Sequence, residues 1–307
     1  MGTFKIKKSS IKLIFKNSKK LDWSKNYSWV PTTLYPVVGS KVIIFYGSRN
    51  KNNFTQTGYF VYCLKTNQVI LNSKKPLLKL GKLGTFDDSL ALATSVVDVK
   101  NKLYFYYVGW IRLKNTRFLP SIGLAVSKKN LKKLKKISYP ILSRSSKEPF
   151  GCASPFVIKE GRKFKMWYVA IRRWIKKNNE TIPIYNLSYS ESLDGINWDL
   201  KKQNVLNGSL NETISRPWII KYKGKYHLWY SYRNKDKNFN IGYAISSDGL
   251  RWKRRDNKFK IPKLGLNWNS QANCYPCVFK YKKNFYMLFN GNDYGRNGIG
   301  LLELIYD

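Results

Sequence analysis

The sequence predicts an all-β chain, a single five-bladed β-propeller domain of four-stranded antiparallel blades spanning residues 1–307. Three observations carry that expectation. A two-strand unit recurs along the chain at intervals of about 60 residues. The recurring runs are aromatic and β-branched and are separated by Gly or Asn turns, which is strand chemistry. The last unit stops one strand short, and the N-terminal FKIKKSSIKLIF supplies a strand to close it.

The units follow in order. Trp29-Val30-Pro31 opens the first and leads to Phe45-Tyr46. Ala93-Thr94-Ser95 opens the second and leads to Tyr106-Tyr107. Ala153-Ser154-Pro155, Ser215-Arg216-Pro217 and Cys274-Tyr275-Pro276 open the other three and lead to Tyr168, Tyr230 and Phe289. In these three the step from proline to that aromatic is the same, and the second unit, anchored at Ser95, fits one residue shorter. Blade anchors near 31, 95, 155, 217 and 276 leave no room for a linker. Third strands read SIGLAVS, YNLSYSES, NIGYAISS and GIGLLEL. Two of them end in Asp194-Gly195 and Asp248-Gly249, where Asp and Gly serve a tight turn and Trp198 and Trp252 open the outer strand.

Composition narrows the function classes. Hydrophobic content of 43% with 16% aromatics is globular, and no apolar run is long enough to be a transmembrane span. The N-terminus is basic but lacks the apolar core of a secretory signal, so the chain reads as soluble and cytoplasmic. Four cysteines fit a reducing compartment, and Cys274 and Cys277 without a second pair make zinc a poor reading, so no metal or cofactor is expected. His227 is the sole histidine and lies in a strand-like run, which leaves acid–base work to carboxylates. The net charge of +40 comes from 57 basic against 17 acidic residues. Lysine dominates that excess, which fits solvated faces and blunted sheet edges better than a nucleic-acid surface, and leaves room for an anionic partner.

In a propeller blade, the residues just before the inner strand and just after the second strand meet at one rim. The first places hold Asp87 and Asp88, Glu148, Glu212 and Gln271, with Asn26 in the first unit. The second places hold Arg49, Arg112, Arg172 or Arg173, Arg233 and Arg296. Arginine is the minority base of this chain, and its planar fork suits carboxylate or phosphate; for some of the five, pairing with the rim acids is the alternative role. Trp29, Trp110, Trp174, Trp268 and Asp293 join the rim. Aromatic faces beside charged groups suit a sugar. Two carboxylates flanking a glycosidic bond can work without histidine.

On these residues the whole chain resembles the five-bladed glycoside hydrolase superfamily of arabinanases, xylosidases, invertases and levansucrases (families 43, 32 and 68). The motifs GTFDDS, EPF, SRPW, NCYP and NGNDYGR are similar to an intracellular, glycosidase-like branch of it. The resemblance implies a carbohydrate substrate. Its catalytic triad does not transfer, because Trp29-Val30, Ala93-Thr94 and Ala153-Ser154 stand where arabinanase-type enzymes carry acids, and Ser215-Arg216-Pro217 only echoes the invertase Arg-Asp-Pro.

The sequence therefore points to an enzyme acting on a glycosidic bond at the tunnel mouth. Glu148 and Glu212 are its acid–base candidates, and Asp88 is its nucleophile or oxocarbenium stabiliser. Asp87, Arg49, Trp110, Arg112, Arg173, Arg216, Arg233, Gln271, Asp293 and Arg296 are expected to bind substrate, a carbohydrate that is anionic or phosphorylated in one version. Transfer or phosphorolysis with a phosphorylated sugar, and non-catalytic glycan binding, are the rival classes.

Overall fold

A computed structural model describes every residue except 1, 35, 36, 38, 179, 200–202, 235, 236 and 266, and at 177 and 203 the backbone alone. Among the described residues the chain is all-β, with two short 3-10 turns at Asp256–Lys258 and Asn292–Gly295. Strand β1 (Phe4–Phe15) is followed by β2 (Asn26–Thr33), β3 (Lys41–Arg49), β4 (Thr55–Cys63) and β5 (Gln68–Asn72), and β2 to β5 pair consecutively as an antiparallel meander. The second meander is β6 (Leu90–Val99), β7 (Lys102–Arg112), β8 (Phe118–Lys128) and β9 (Leu134–Lys136). The third is β10 (Cys152–Glu160), β11 (Lys163–Lys177), β12 (Glu180–Ser192) and β13 (Gln203–Leu206). The fourth is β14 (Glu212–Tyr222), β15 (Lys225–Asn234), β16 (Asn240–Ser246) and β17 (Lys253–Arg254). Last come β18 (Cys274–Tyr281), β19 (Asn284–Asn290) and β20 (Ile299–Tyr306), with β1 pairing antiparallel to β20 as the outer strand.

By its contacts the chain falls into two compact units. One comprises residues 1–77, 218–232 and 238–307, and the other residues 78–217 and 233–237. The core of the second is a hydrophobic cluster of Tyr106, Ile122, Leu124, Met166, Tyr168 and their neighbours, with Trp198 edge-on against Tyr106. Trp198 thus packs ahead of β13 rather than within it. In the first unit Phe4 is ringed by His227, Trp229, Phe285 and Tyr306, so the strand that arrives from the N-terminus is anchored by an aromatic cluster.

A bulge interrupts each observed inner-strand register where the anchor lies: between Trp29 and Thr32, Ala93 and Ser95, Ala153 and Phe156, and Cys274 and Cys277. A bulge turns a side chain away from strict alternation, so the anchor marks a place where each strand re-aims a residue. Val30, Ser154, Arg216 and Tyr275, each the residue before a proline, sit at φ between 45° and 57°. Residues before proline prefer extended backbone, and a non-glycine residue in the left-handed region is strained, so the surrounding sheet imposes this geometry. The register also sets Thr94, rather than Ser95, at the place of Pro155, because Ser95 pairs with Tyr106 as Phe156 pairs with Trp167. The second unit then has the same step to its tyrosine as the three units that follow it have to their aromatics.

The third strand of each meander shows a column of small residues. Tyr46, Tyr107, Tyr230 and Phe289 pair with Gly58, Gly123, Gly242 and Gly300. A Cβ at Gly123 or Gly242 would overlap the ring of Tyr107 or Tyr230, and at Gly58 or Gly300 the indole of Trp23 or Trp268. At the same position in β12 stands Ser188, opposite Tyr168. The Asp-Gly turns hold as read from the sequence: Gly195 and Gly249 have φ of 77° and 79°. Asp194 accepts the backbone N–H of Ile196 and Asn197, and Asp248 those of Leu250 and Arg251.

Candidate functional site

The three acids favoured by the sequence all lie in the unit built on residues 78–217. Asp87 and Glu148 occupy equivalent places, each seven residues ahead of its anchor once Thr94 is matched to Pro155. Both are buried, and each accepts a hydrogen bond from the tyrosine of its own second strand. Tyr107 donates to Asp87 Oδ2 (2.9 Å), and Tyr168 to Glu148 Oε2 (3.1 Å). The same tyrosine position elsewhere donates to Asn72 and Asp256. A buried phenol needs an acceptor, and the repeat supplies one from whichever neighbouring loop or strand can reach. Burial, reinforced by the adjacent carboxylate, pushes the Tyr107 and Tyr168 hydroxyls far above the ordinary phenol range, so both remain donors.

From that shared address the two acids diverge. Asp87 turns toward the outer strand, where Lys136 Nζ lies 2.5 Å from Oδ2, and Thr85 donates to Oδ1 (3.1 Å). Burial pulls the Lys136 ammonium below its usual range, and the Asp87 charge opposes that pull. Glu148 turns instead toward the third strand. There Ser188 donates to its Oε1 (2.8 Å), and Arg172 Nη2 reaches the same serine oxygen (3.2 Å). A relay Arg172–Ser188–Glu148–Tyr168 thus links a guanidinium to a carboxylate that is 2% exposed.

Asp88 is more open than Asp87. Its Oδ2 accepts Gly84 N–H (3.0 Å) and its Oδ1 the Ser89 hydroxyl (2.7 Å), a local turn arrangement that leaves part of the carboxylate to solvent. Glu212 starts β14 and accepts Ser209 N–H at Oε2 (3.2 Å). Arg173 Nη2 donates to the Leu210 carbonyl, two residues from Glu212. Arg216 is 1% exposed and donates from Nη1 to the Thr94 carbonyl (2.6 Å), spanning from one anchor to another within the unit. Arg233 is half-buried at the end of β15. Trp110 stacks on Phe118 (centroids 4.4 Å apart, 17°), and Trp174 meets Phe118 edge-on (5.4 Å); Arg112, exposed, pairs with Phe118 in register.

In the other unit, Arg49 lies over the rings of Tyr27 (4.4 Å) and Trp29 (4.7 Å), and Arg296 over Tyr27 (5.6 Å). These arginines are set on aromatic faces. Gln271 is exposed and uses its backbone N–H to bond Asn292 Oδ1 (2.8 Å), while Asp293 is exposed at φ 52°. Trp268 is buried against Phe289. His227 is buried, with Nδ1 2.6 Å from the Tyr243 hydroxyl, and burial drops its pKa to about 4. All four cysteines are free and buried. Among the described residues no group of three or more His, Cys, Asp or Glu is placed to hold a metal, and no helix is long and apolar enough to cross a membrane.

Sequence reasoning missed Ser188, Lys136 and the two tyrosines. It also set Arg173 rather than Arg172 among the binding residues, whereas Arg172 is the one linked through Ser188 to a carboxylate. The signal for Ser188 was present: YNLSYSES carries Ser where SIGLAVS, NIGYAISS and GIGLLEL carry Gly. Lys136 is 49 residues from Asp87, and only the outer-strand pairing brings it in.

No protein-family model matches the chain. Uncharacterized protein Rv1502 of Mycobacterium tuberculosis (strain ATCC 25618 / H37Rv) is 30% identical over 295 residues, covering 95% of this chain and 97% of that protein. The chain belongs to the Rv1502 family. Solved structures show which fold this Rv1502 family member has. A glycosyl hydrolase from Bacteroides ovatus matches 99% of this chain and 93% of its own with a TM-score of 0.71 at 14% identity. A structure from the GH130 family, in which mannoside phosphorylases stand beside glycoside hydrolases that target beta-1,2 mannosidic linkages in Candida mannan, matches 98% and 93% with a TM-score of 0.69 at 14% identity. A thermostable family-43 glycoside hydrolase matches 95% and 92% with a TM-score of 0.65 at 16% identity. The Rv1502 family member thus has the glycoside-hydrolase propeller fold.

Proposed function

We infer that this chain is a cytoplasmic carbohydrate-active enzyme that hydrolyses a glycosidic bond at the mouth of a five-bladed propeller. What supports the reading is that Asp88, Glu148, Glu212, Arg172, Arg173 and Arg216 all belong to the same compact unit of a chain poor in acids. Two carboxylates suffice for acid–base or nucleophilic work on a glycoside. Five consecutive antiparallel runs of strands support the blade count, and four free cysteines suit a reducing compartment. Likeness of fold to glycoside hydrolases is analogy and supports the class alone.

In this reading Glu212 exchanges the proton with the leaving group. Glu148, held by Tyr168 and Ser188, is the second acid–base group, and Ser188 joins it to Arg172. Asp88, the most open of the three, stabilises positive charge on the sugar or attacks it. Arg173, Arg216 and Arg233 hold the substrate's polar groups, joined by Trp110 and Arg112; Asp87 braces the site through Lys136. Arg49, Gln271, Asp293 and Arg296, the substrate-binding candidates of the remaining repeats, lie in the other unit.

The test is turnover on a panel of oligosaccharides, assayed with and without inorganic phosphate. Reducing sugar released without phosphate, and lost in Glu212→Gln and Glu148→Gln, fits hydrolysis. Full turnover in both variants would remove the acids from the mechanism. The arginine content and the GH130 likeness favour phosphorolysis as the second reading, recognised by a strict phosphate requirement. Binding without turnover would leave a glycan-binding propeller.

A further inference from the structure

Two neighbouring hairpins in the second compact unit outgrow their counterparts. Strands β7 and β8 are 11 residues each, and β11 and β12 are 15 and 13. The corresponding pairs are 9 and 9 for β3 and β4, 10 and 7 for β15 and β16, and 7 and 8 for β19 and β20. The added length lies at one end, where pairing runs on to Arg112 with Phe118 and to Lys177 with Glu180. A hairpin that extends beyond its sheet gives up flanking partners, so the extension is not explained by sheet stability.

The tips frame a cavity of about 300 Å³, lined by the turn 113–117 and by Glu180 and Thr181. That volume is at the small end of ligand pockets, which run from about 300 to 1,000 Å³, and suits one sugar unit rather than a chain. Its walls bring Lys114, Arg117 and Glu180 together with the side chains of Asn115, Thr116 and Thr181. None of the three charged side chains forms an ion pair or hydrogen bond with another described residue. Lysine faces are common on a chain of net charge +40, but arginine is the minority among its 57 basic residues, and here an arginine lines the cavity wall. The first paired rung below the cavity carries exposed Arg112 and the partly exposed Phe118, which joins Trp110 and Trp174 in one aromatic cluster.

We propose that this cavity between the two hairpin tips binds an anionic sugar unit, a uronate or a phosphorylated hexose. Lys114 and Arg117 hold the carboxylate or phosphate, with the guanidinium offering two parallel N–H donors. Glu180 accepts from ring hydroxyls, and the threonines accept from and donate to them. Lining charges of two cations and one anion leave a surplus positive charge for the anionic group, which a neutral sugar would not use.

Isothermal titration calorimetry on the full chain tests this at physiological ionic strength, with trigalacturonate, glucose 6-phosphate and neutral maltotriose as probes. At least one anionic probe is expected to bind while maltotriose is silent, and the two anionic arms distinguish uronate from phosphate ester. K114A/R117A is expected to weaken binding about tenfold or more, as for loss of a bidentate charged contact. K132A/K133A, on the exposed turn before β9, is expected to leave affinity unchanged. Silence from both anionic probes at millimolar concentration, equal binding of maltotriose, or equal weakening by the two double variants would overturn the proposal. Because the readout is binding, it stands or falls separately from the role of the acids in turnover.

Discussion

Ser188 donates its hydroxyl hydrogen to Glu148 (2.8 Å) from the strand position that β4, β8, β16 and β20 give to glycine. The third meander thereby exchanges a close ring-on-backbone contact for a polar one, and connects its buried carboxylate to Arg172. Departure from a repeat marks a place where packing alone does not choose the residue.

Ser188→Ala removes one donor from a buried carboxylate. It is expected to cost about 1.5–3 kcal/mol, the range for a hydrogen bond to a charged group. Urea denaturation measures it as a lower midpoint at unchanged slope. Ser188→Gly should lose at least as much, which separates the hydrogen bond from any relief of crowding against Tyr168.

Gly123→Ala presses a methyl group into the Tyr107 ring, and Gly242→Ala does the same at Tyr230. Overpacking of this kind costs about 1–3 kcal/mol, and thermal denaturation of the two variants is expected to show it. A Cβ at Gly161, which meets nothing within 4 Å, supplies the comparison: there only the left-handed backbone (φ +58°) opposes alanine.

Lys136→Ala leaves the Asp87 carboxylate buried with Tyr107 and Thr85 but without its cation. Breaking a buried pair from one side costs about 3–5 kcal/mol. Lys136 keeps some exposure, so the lower end is expected. The double variant Asp87→Asn/Lys136→Met should recover most of the loss, and a double-mutant cycle in urea measures the coupling.

His227 links stability to pH. Its folded pKa is about 4 against an ordinary 6.5, because burial disfavours the charged ring. The folded state therefore resists protonation more than the unfolded chain. The contribution is fully present above pH 6.5, falls between pH 6.5 and about 4, and is lost below. The span corresponds to about 3 kcal/mol. Denaturation midpoints from about pH 7 to about pH 4 should fall less steeply in His227→Gln than in the parent.

Much of the fold was legible because the pattern repeats. The aromatic second strands, the prolines one residue after each left-handed position and the Asp-Gly turns each depend on local chemistry that the sequence displays. The pairing of β1 with β20 was legible because the last unit was visibly one strand short. The candidate site was less so. Asp87 and Asp88 are adjacent, and only the register that matches Thr94 with Pro155 shows that Asp87 shares the address of Glu148. What became of each acid depended on partners far along the chain, Lys136 in one case and Ser188 in the other. Which of two neighbouring arginines turns inward was set by a register shift between Ile171 and Arg173, a distortion that composition does not announce.

The strand pairing that joins Phe4 to Tyr306 has a consequence for how the protein is made. A ribosome delivers β1 long before its partner β20, with nearly every other strand in between. Until β20 emerges, β1 is an orphan edge strand, and Phe4 lacks the aromatic pocket that buries it in the finished molecule. Closing so long a loop delays folding more than it weakens the product. The last sheet is thus completed only after β20 has left the ribosome, and until then the nascent chain carries its own aggregation hazard at β1.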